Sequence, residues 1–207
     1  MKQNNYNNKV IGLTGGIATG KSTTTEILFR KGYPVIDADK ISHNVVKTGQ
    51  PAYNEIVSQF GKEILNEDMS LDRKKLGKII FNDRDRRNIL NNIVHPKVTY
   101  EIKKEIEVYK KNNDIIFVDI PLLIENKQKL ESEGILFNEV WLVYTDEETQ
   151  LQRLMKRDNI NKEEAKSKIN SQMSIEAKKK YANVIINNSN NINLLIKNIE
   201  EAIEHLK

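Results

Sequence analysis

Lys9-Val10-Ile11-Gly12-Leu13-Thr14-Gly15-Gly16-Ile17-Ala18-Thr19-Gly20-Lys21-Ser22 is the stretch whose reading decides the fold. Its first six residues read as a short buried strand. The segment Gly15–Gly20 is a glycine-containing turn, and a helix is expected from about Lys21 to Lys31, stopped by Gly32. Gly15 to Ser22 satisfies G-x-x-x-x-G-K-[ST] at every fixed position, in the strand–turn–helix context that such a loop requires. The physics is specific. Backbone N–H groups must converge on phosphate oxygens, so glycine stands where a Cβ would clash or φ must be positive. The helix that follows turns its positive end to the same anion. Gly15, Gly16, Ile17, Ala18, Thr19, Gly20, Lys21, Ser22 and Thr23 are therefore expected to bind ATP. Lys21 would reach the β- and γ-phosphates, and the Ser22 hydroxyl would ligate Mg²⁺.

Working outward, Tyr33-Pro34-Val35-Ile36 reads as a second strand closing at Asp37-Ala38-Asp39. Strand, helix and strand within about 30 residues make a βαβ unit and hence a parallel sheet. Further apolar runs at Ile115–Val118, Val140–Val143 and Val184–Ile186 add three strands. Between the second and third, Val98, Ile102, Ile106 and Tyr109 mark one face of an amphipathic helix, with His95-Pro96 near its start. Residues 147–180 read as helical and highly charged. Ile192, Leu195, Ile196, Ile199, Ile203 and Leu206 stripe a closing helix. The expectation is an α/β fold on a five-stranded, mostly parallel sheet. Its core is at about 9–47, 114–146 and 181–206, with a helical insertion at about 48–113, a lid at about 147–180 and a polar leader at 1–8. Ligands of such sheets bind outside the carboxyl ends of the strands, where both excursions can cover them.

Composition narrows the class. A chain of 207 residues is long enough for a core without staples. No apolar run approaches the roughly 18 residues of a membrane span, and the polar start lacks a signal-peptide core. There is no cysteine, hence no disulfide, thiolate metal site or cysteine nucleophile, and a cytoplasmic protein is expected. The net charge of +4 is that of a solvated lysine-rich surface. Lysine, asparagine and isoleucine are inflated, whereas only seven arginines remain: Arg30, Arg73, Arg84, Arg86, Arg87, Arg153 and Arg157. Their planar forks make them the candidates for phosphate contacts. A dinucleotide fingerprint fails because Ile17 occupies its middle glycine. A guanine reader fails as well: no glycine has aspartate three residues earlier, and neither Asn126-Lys127 nor Asn161-Lys162 continues to the required aspartate. Asp119, ending the third strand, stands as a Walker-B-like aspartate able to hold Mg²⁺ through water. Asp37 and Asp39, at i,i+2 spacing on a strand end, can both face the cleft in extended chain.

Further segments carry a family resemblance. Leu13–Thr23, Val35-Ile36-Asp37-Ala38-Asp39-Lys40-Ile41, Leu71-Asp72-Arg73, His95-Pro96, Pro121-Leu122-Leu123-Ile124-Glu125, Gln150–Leu154 and Arg157-Asp158 together resemble the dephospho-CoA kinases. The resemblance covers about Lys9 to the C-terminus. It implies the three-layer P-loop kinase fold and transfer of the ATP γ-phosphoryl group to the ribose 3′-hydroxyl of dephospho-CoA, the final step of coenzyme A synthesis. Of the two aspartates, residue physics alone leaves both open, and the resemblance selects Asp39 as catalytic base. The competing structural role for Asp39 is an N-cap of a helix beginning near Lys40. Asp39, Arg73 and His95 are the expected acceptor contacts. Arg153 and Arg157, at i,i+4 with Lys156 between them, would close over the phosphates, Arg157 as a catalytic residue and Arg153 on ATP. The partners implied are ATP, with Mg²⁺, and dephospho-CoA. Neither nucleic acid nor membrane is expected, and a monomer is. Another P-loop nucleoside or nucleotide kinase is the alternative, followed by a non-enzymatic nucleic-acid-binding P-loop protein. Against the last stand the 6% aromatic content and the lack of basic–aromatic interleaving.

Overall fold

A computed structural model describes residues 8–206. The polar leader lies outside them except for Asn8, whose amide donates to the carbonyls of Lys110 (2.9 Å) and Asn113 (2.7 Å). The described chain forms two compact units, one of residues up to 36 and from 106 onward, the other of residues 37–105.

The first unit is built on a five-stranded sheet. Its strands are β1 (Lys9–Gly15), β2 (Val35–Asp37), β3 (Ile115–Asp119), β4 (Glu139–Tyr144) and β5 (Val184–Asn187), in the order β2-β3-β1-β4-β5. β1 runs parallel to both β3 and β4, with Leu13 opposite Asp119 and Trp141, and β4 runs parallel to β5. The three central strands, β1, β3 and β4, are buried along almost their whole length because helices cover both faces of such sheets. Alternate residues face alternate layers. Ile11, Leu13, Phe117, Trp141 and Ile186 pack with Leu28 of α1 (Lys21–Arg30) and Leu195 and Ile199 of α10 (Ile192–Glu204). Phe117 sits edge-on between Tyr33 and Trp141, with ring centroids 5.8 and 5.1 Å away. Each such buried ring stabilises the fold by about 3–5 kcal/mol relative to alanine. Gly12 faces the opposite layer, against Leu123 and Phe137. β1 sends its crossover toward β2, while its neighbour β3 sends its own toward β4. The crevice where binding is expected thus opens beyond Gly15 and Asp119.

The 147–180 excursion, expected as helical, is three helices: α7 (Glu147–Asp158), α8 (Lys162–Asn170) and α9 (Ile175–Lys179). Asn159 ends α7 in the left-handed region at φ 51°. Asn161 and Glu164 then form a reciprocal capping box that starts α8. Ser174 caps α9 by accepting from the Ala177 N–H. α6 (Lys127–Ser132) connects β3 to β4.

The second unit contains α2 (Ala38–Val45), α3 (Pro51–Phe60), α4 (Arg73–Asn82) and most of α5 (Arg84–Tyr109). Ala52, Ile56, Phe60, Ile64, Leu76 and Ile93 make its core. The insertion was expected at 48–113. The compact unit begins earlier because the Asp37 side chain caps α2 directly at the strand end, leaving no linker. His95-Pro96 was expected near a helix start and lies mid-helix instead. Pro96 lacks one backbone donor, and α5 runs through it.

Candidate active site

The loop between β1 and α1 is held by its carbonyls. The Gly16 oxygen accepts from the Thr19 N–H at 3.3 Å and from the Thr19 hydroxyl at 3.0 Å. The Ile17 oxygen accepts from Gln150 Nε2 of α7 at 2.6 Å, and the Thr19 oxygen from Asn188 Nδ2 at 2.8 Å. The Gly20 oxygen starts the helix, accepting from the Thr24 N–H at 3.1 Å. With these carbonyls engaged in the protein, and the Thr19 N–H spent on Gly16, the other N–H groups of the loop and those of the first turn of α1 are the donors left for a ligand. No helix carbonyl can reach those first-turn groups, and they form an anion cradle.

Two glycines lie directly against the side chains that hold the loop. A Cβ on Gly16 would come within 2.6 Å of Gln150 Nε2. Gly20 has φ 89°, and a Cβ there would collide with the Asn188 amide. Ala18 also adopts the left-handed region, at φ 59°. Ile17 and Ala18 pack against the Leu151, Leu154, Ala165 and Ile169 cluster of α7 and α8, so the loop's non-glycine residues are anchored by apolar contact.

Lys21 and Asp119, placed near phosphates by the sequence, meet in a salt bridge. Asp119 is 5% exposed, and its second oxygen accepts from the Thr25 hydroxyl at 3.0 Å. The pairing follows from topology: Lys21 opens α1 directly after the loop, and Asp119 ends the adjacent strand. Ser22 is exposed at the start of the same helix. A hydroxyl and a carboxylate are hard oxygen donors of the kind Mg²⁺ takes alongside substrate phosphates. No cluster of three or more His, Cys, Asp or Glu suited to a metal occurs among the described residues.

Arg153 and Arg157 sit one turn apart on α7 but are used differently. Arg153 Nη2 donates to the Asn188 carbonyl at 2.9 Å, with its Nη1 close to Gly20. Arg157 is exposed and pairs with Asp158 at 2.8 Å. Asp158 also takes Lys168 of α8 at 2.9 Å, and the two cations hold its carboxyl at about 2, Arg157 being the larger influence.

In the second unit, Asp37 is the N-cap of α2, its carboxylate accepting from the Lys40 N–H at 2.9 Å. The competing role of Asp39, the helix cap, therefore belongs to Asp37. Asp39 lies in the first turn of α2 and is exposed, so the extended-chain placement of both carboxylates does not hold. Arg73 opens α4 and is exposed, next to its cap Asp72. His95 is half-buried within α5 and engaged with neighbouring groups.

Gln150, Asn188 and Lys178 went unnoticed as site residues in the sequence. Gln150 is 2% exposed, Asn188 8% and Lys178 fully buried. Burial of a polar side chain at a helix or strand end was the only available signal, and the abundance of Asn and Lys hid it.

Comparison with known proteins agrees with this geometry. The family model for dephospho-CoA kinase matches residues 9–193. A dephospho-CoA kinase of Bacillus cereus is 50% identical over 184 residues, covering 88% of this chain and 90% of the relative. That of Carboxydothermus hydrogenoformans is 47% identical over 184 residues, covering 88% and 87%. The solved dephospho-CoA kinase from Campylobacter jejuni superposes with a TM-score of 0.71 at 34% identity, over 95% of this chain and 96% of that one. With the phosphate cradle, the Lys21–Asp119 pair and the five-stranded sheet all in one chain, these matches place it in the dephospho-CoA kinase family.

Proposed function

We propose that the chain transfers the γ-phosphoryl group of ATP to the 3′-hydroxyl of dephospho-CoA, giving coenzyme A and ADP. The observation that carries this reading is the loop whose carbonyls are held by Gln150, Thr19 and Asn188 in a chain matching the family over 9–193. An anion cradle of that kind, fixed before substrate arrives, needs no reorganisation as charge develops.

The residues divide the work as follows. Amides of the Gly15–Thr23 segment bind the phosphates, and Lys21 stabilises the charge that collects on the departing ADP oxygen as the bridging P–O bond breaks. Asp39 orients the 3′-hydroxyl and accepts its proton late, as a carboxylate can in a loose transition state. The capping role of Asp37 supports this choice, because it leaves Asp39 as the uncommitted carboxylate of the pair. Arg153, already beside Gly20, binds ATP. Arg157 exchanges Asp158 for phosphate and stabilises the transferring charge. Arg73 and His95 contact the acceptor. Ser22 and Asp119 would hold Mg²⁺, Asp119 through water since Lys21 and Thr25 occupy its oxygens. When bound, the ion neutralises charge on the β- and γ-phosphate oxygens. The helices of 48–113 carry the acceptor, and 147–180 serves as the lid.

On this reading the enzyme works in the cytoplasm, without nucleic acid. No described helix is long and apolar enough to cross a membrane, and ATP supply and the cysteine-free chain support that compartment. The test is ATP consumption by the purified protein, screened against dephospho-CoA and the common nucleosides and nucleotides. Stoichiometric ADP and coenzyme A with dephospho-CoA is the expected result. Turnover with a nucleoside instead would reassign the acceptor. Salt-sensitive RNA or DNA binding without turnover would overturn the kinase reading.

A further inference from the structure

Lys178 is a buried cation that the mechanism above does not use. It lies on the short helix α9 with no exposed surface, and its Nζ pairs with Glu125 Oε1 at 2.9 Å. The same Nζ stands 3.5 Å from the carbonyl oxygen of Gly15, the residue with which β1 passes into the phosphate loop. Ile175, one turn earlier on α9, approaches the same place: its Cδ1 would lie 3.4 Å from a Cβ on Gly16. Glu125 stands in the turn that follows β3, beyond Asp119. The turn is fixed to β1 by the Thr14 hydroxyl, which donates to the Pro121 carbonyl at 2.9 Å, and by the Ile120 N–H, which donates to Leu13. One ammonium thus joins three segments where the two central strands open into the site.

Removing a lysine from water is costly, and an apolar pair of similar volume commonly stabilises a fold as well or better. Nothing about packing therefore requires Lys178. Its charge lies behind the first peptide of the cradle, in a dry setting where a fixed cation acts more strongly than in water.

We infer that Lys178, held by Glu125, is a positioning residue for the nucleotide: it holds the Gly15 carbonyl toward α9 and so sets the direction of the amides that receive the phosphates. The inference rests on the kinase reading for its substrate and on the loop geometry for its mechanism. The acceptor plays no part in it.

The test is the paired replacement Lys178→Met with Glu125→Leu, which removes both charges and keeps the volumes similar. Melting is followed by calorimetry, and kinetics are measured well below both midpoints. A purely structural pair predicts unchanged kinetics in a folded variant. The positioning role predicts at least a fivefold fall in kcat/KM for ATP, with the KM for dephospho-CoA within threefold of wild type. A smaller fall, or a loss carried by the dephospho-CoA KM, overturns the proposal. If the paired variant does not fold, Glu125→Gln replaces it with the same thresholds, since that side chain is partly exposed and the change leaves its size intact. If wild type does not phosphorylate dephospho-CoA at all, the acceptor reading fails separately. The ATP dissociation constant by titration calorimetry then decides for Lys178: a rise of threefold or more upholds it, and less overturns it.

Discussion

Asp37 and Asp39 are two residues apart, and the proposed mechanism gives them separable tasks, cap and base, that substitution can expose. Asp37 accepts from the Lys40 N–H at 2.9 Å as the N-cap of α2. Asp37→Ala removes that acceptor, and a lost cap costs about 0.5–2 kcal/mol, typically about 1. For a chain of this length, about 1 kcal/mol lowers the melting midpoint by roughly 2–4 °C. Asp37→Asn keeps a side-chain oxygen at the cap, and asparagine is as good an N-cap as aspartate, so both stability and turnover should stay near wild type. Asp39 is exposed in the first turn, where its charge favours the helix dipole by only about 0.3–1 kcal/mol. Asp39→Asn should therefore melt within a few degrees of wild type. Its transfer rate should nevertheless fall by about 10²–10⁴, the usual worth of a general base, with ATP affinity largely kept. Coupled detection of ADP with dephospho-CoA as acceptor, beside calorimetric melting of all three variants, makes the comparison. If Asp37→Asn loses more turnover than Asp39→Asn, the assignment of cap and base is refuted.

Lys21→Ala should lower kcat by on the order of 10²–10³-fold or more, measured in the same assay, because it removes a cation aimed at developing phosphoryl charge. Gly20→Ala should weaken ATP binding at least tenfold by titration calorimetry, since φ 89° strains a residue with a Cβ and the Asn188 amide that holds the loop would have to move. Asp158 supplies a pH signature. Its folded carboxyl titrates at about 2 against an ordinary 3.8, so the stability it contributes is complete above pH 3.8 and is lost as pH falls toward 2. The melting midpoint of Asp158→Asn should accordingly lie below wild type at pH 5, and the gap should narrow on acidification below about pH 4.

The strands and the phosphate loop were legible because their signals are local. A buried parallel strand is a continuous apolar run, and the cradle demands glycine at fixed offsets. Helix boundaries were less legible. Pro96 carries a helix-start signal and a helix-break signal at once, and α5 passes through it because the surrounding packing outweighs one missing donor. The turn at Asn159 is one asparagine among many, and only its left-handed backbone separates α7 from α8. Which aspartate caps α2 was not legible, because Asp37 and Asp39 offer the same side chain at the strand end. Lys178-Lys179-Lys180 makes the sharpest case. The first is fully buried and the third exposed, yet nothing in three identical letters tells the brace of the cradle from the solvated surface.

Trp141 is the only tryptophan of the chain. It is fully buried beside Phe117 in the central sheet, with its indole N–H donating to Glu139 at 2.9 Å. Its fluorescence is therefore a native optical reporter of one compact unit alone, because residues 37–105 contain no indole. Far-ultraviolet ellipticity, by contrast, weighs the helices of both. Recording the two signals along a single denaturant titration separates the unfolding of the sheet from that of the helical unit without adding a label. Coincident curves would mean that the units melt as one cooperative body, and displaced curves would give each its own midpoint.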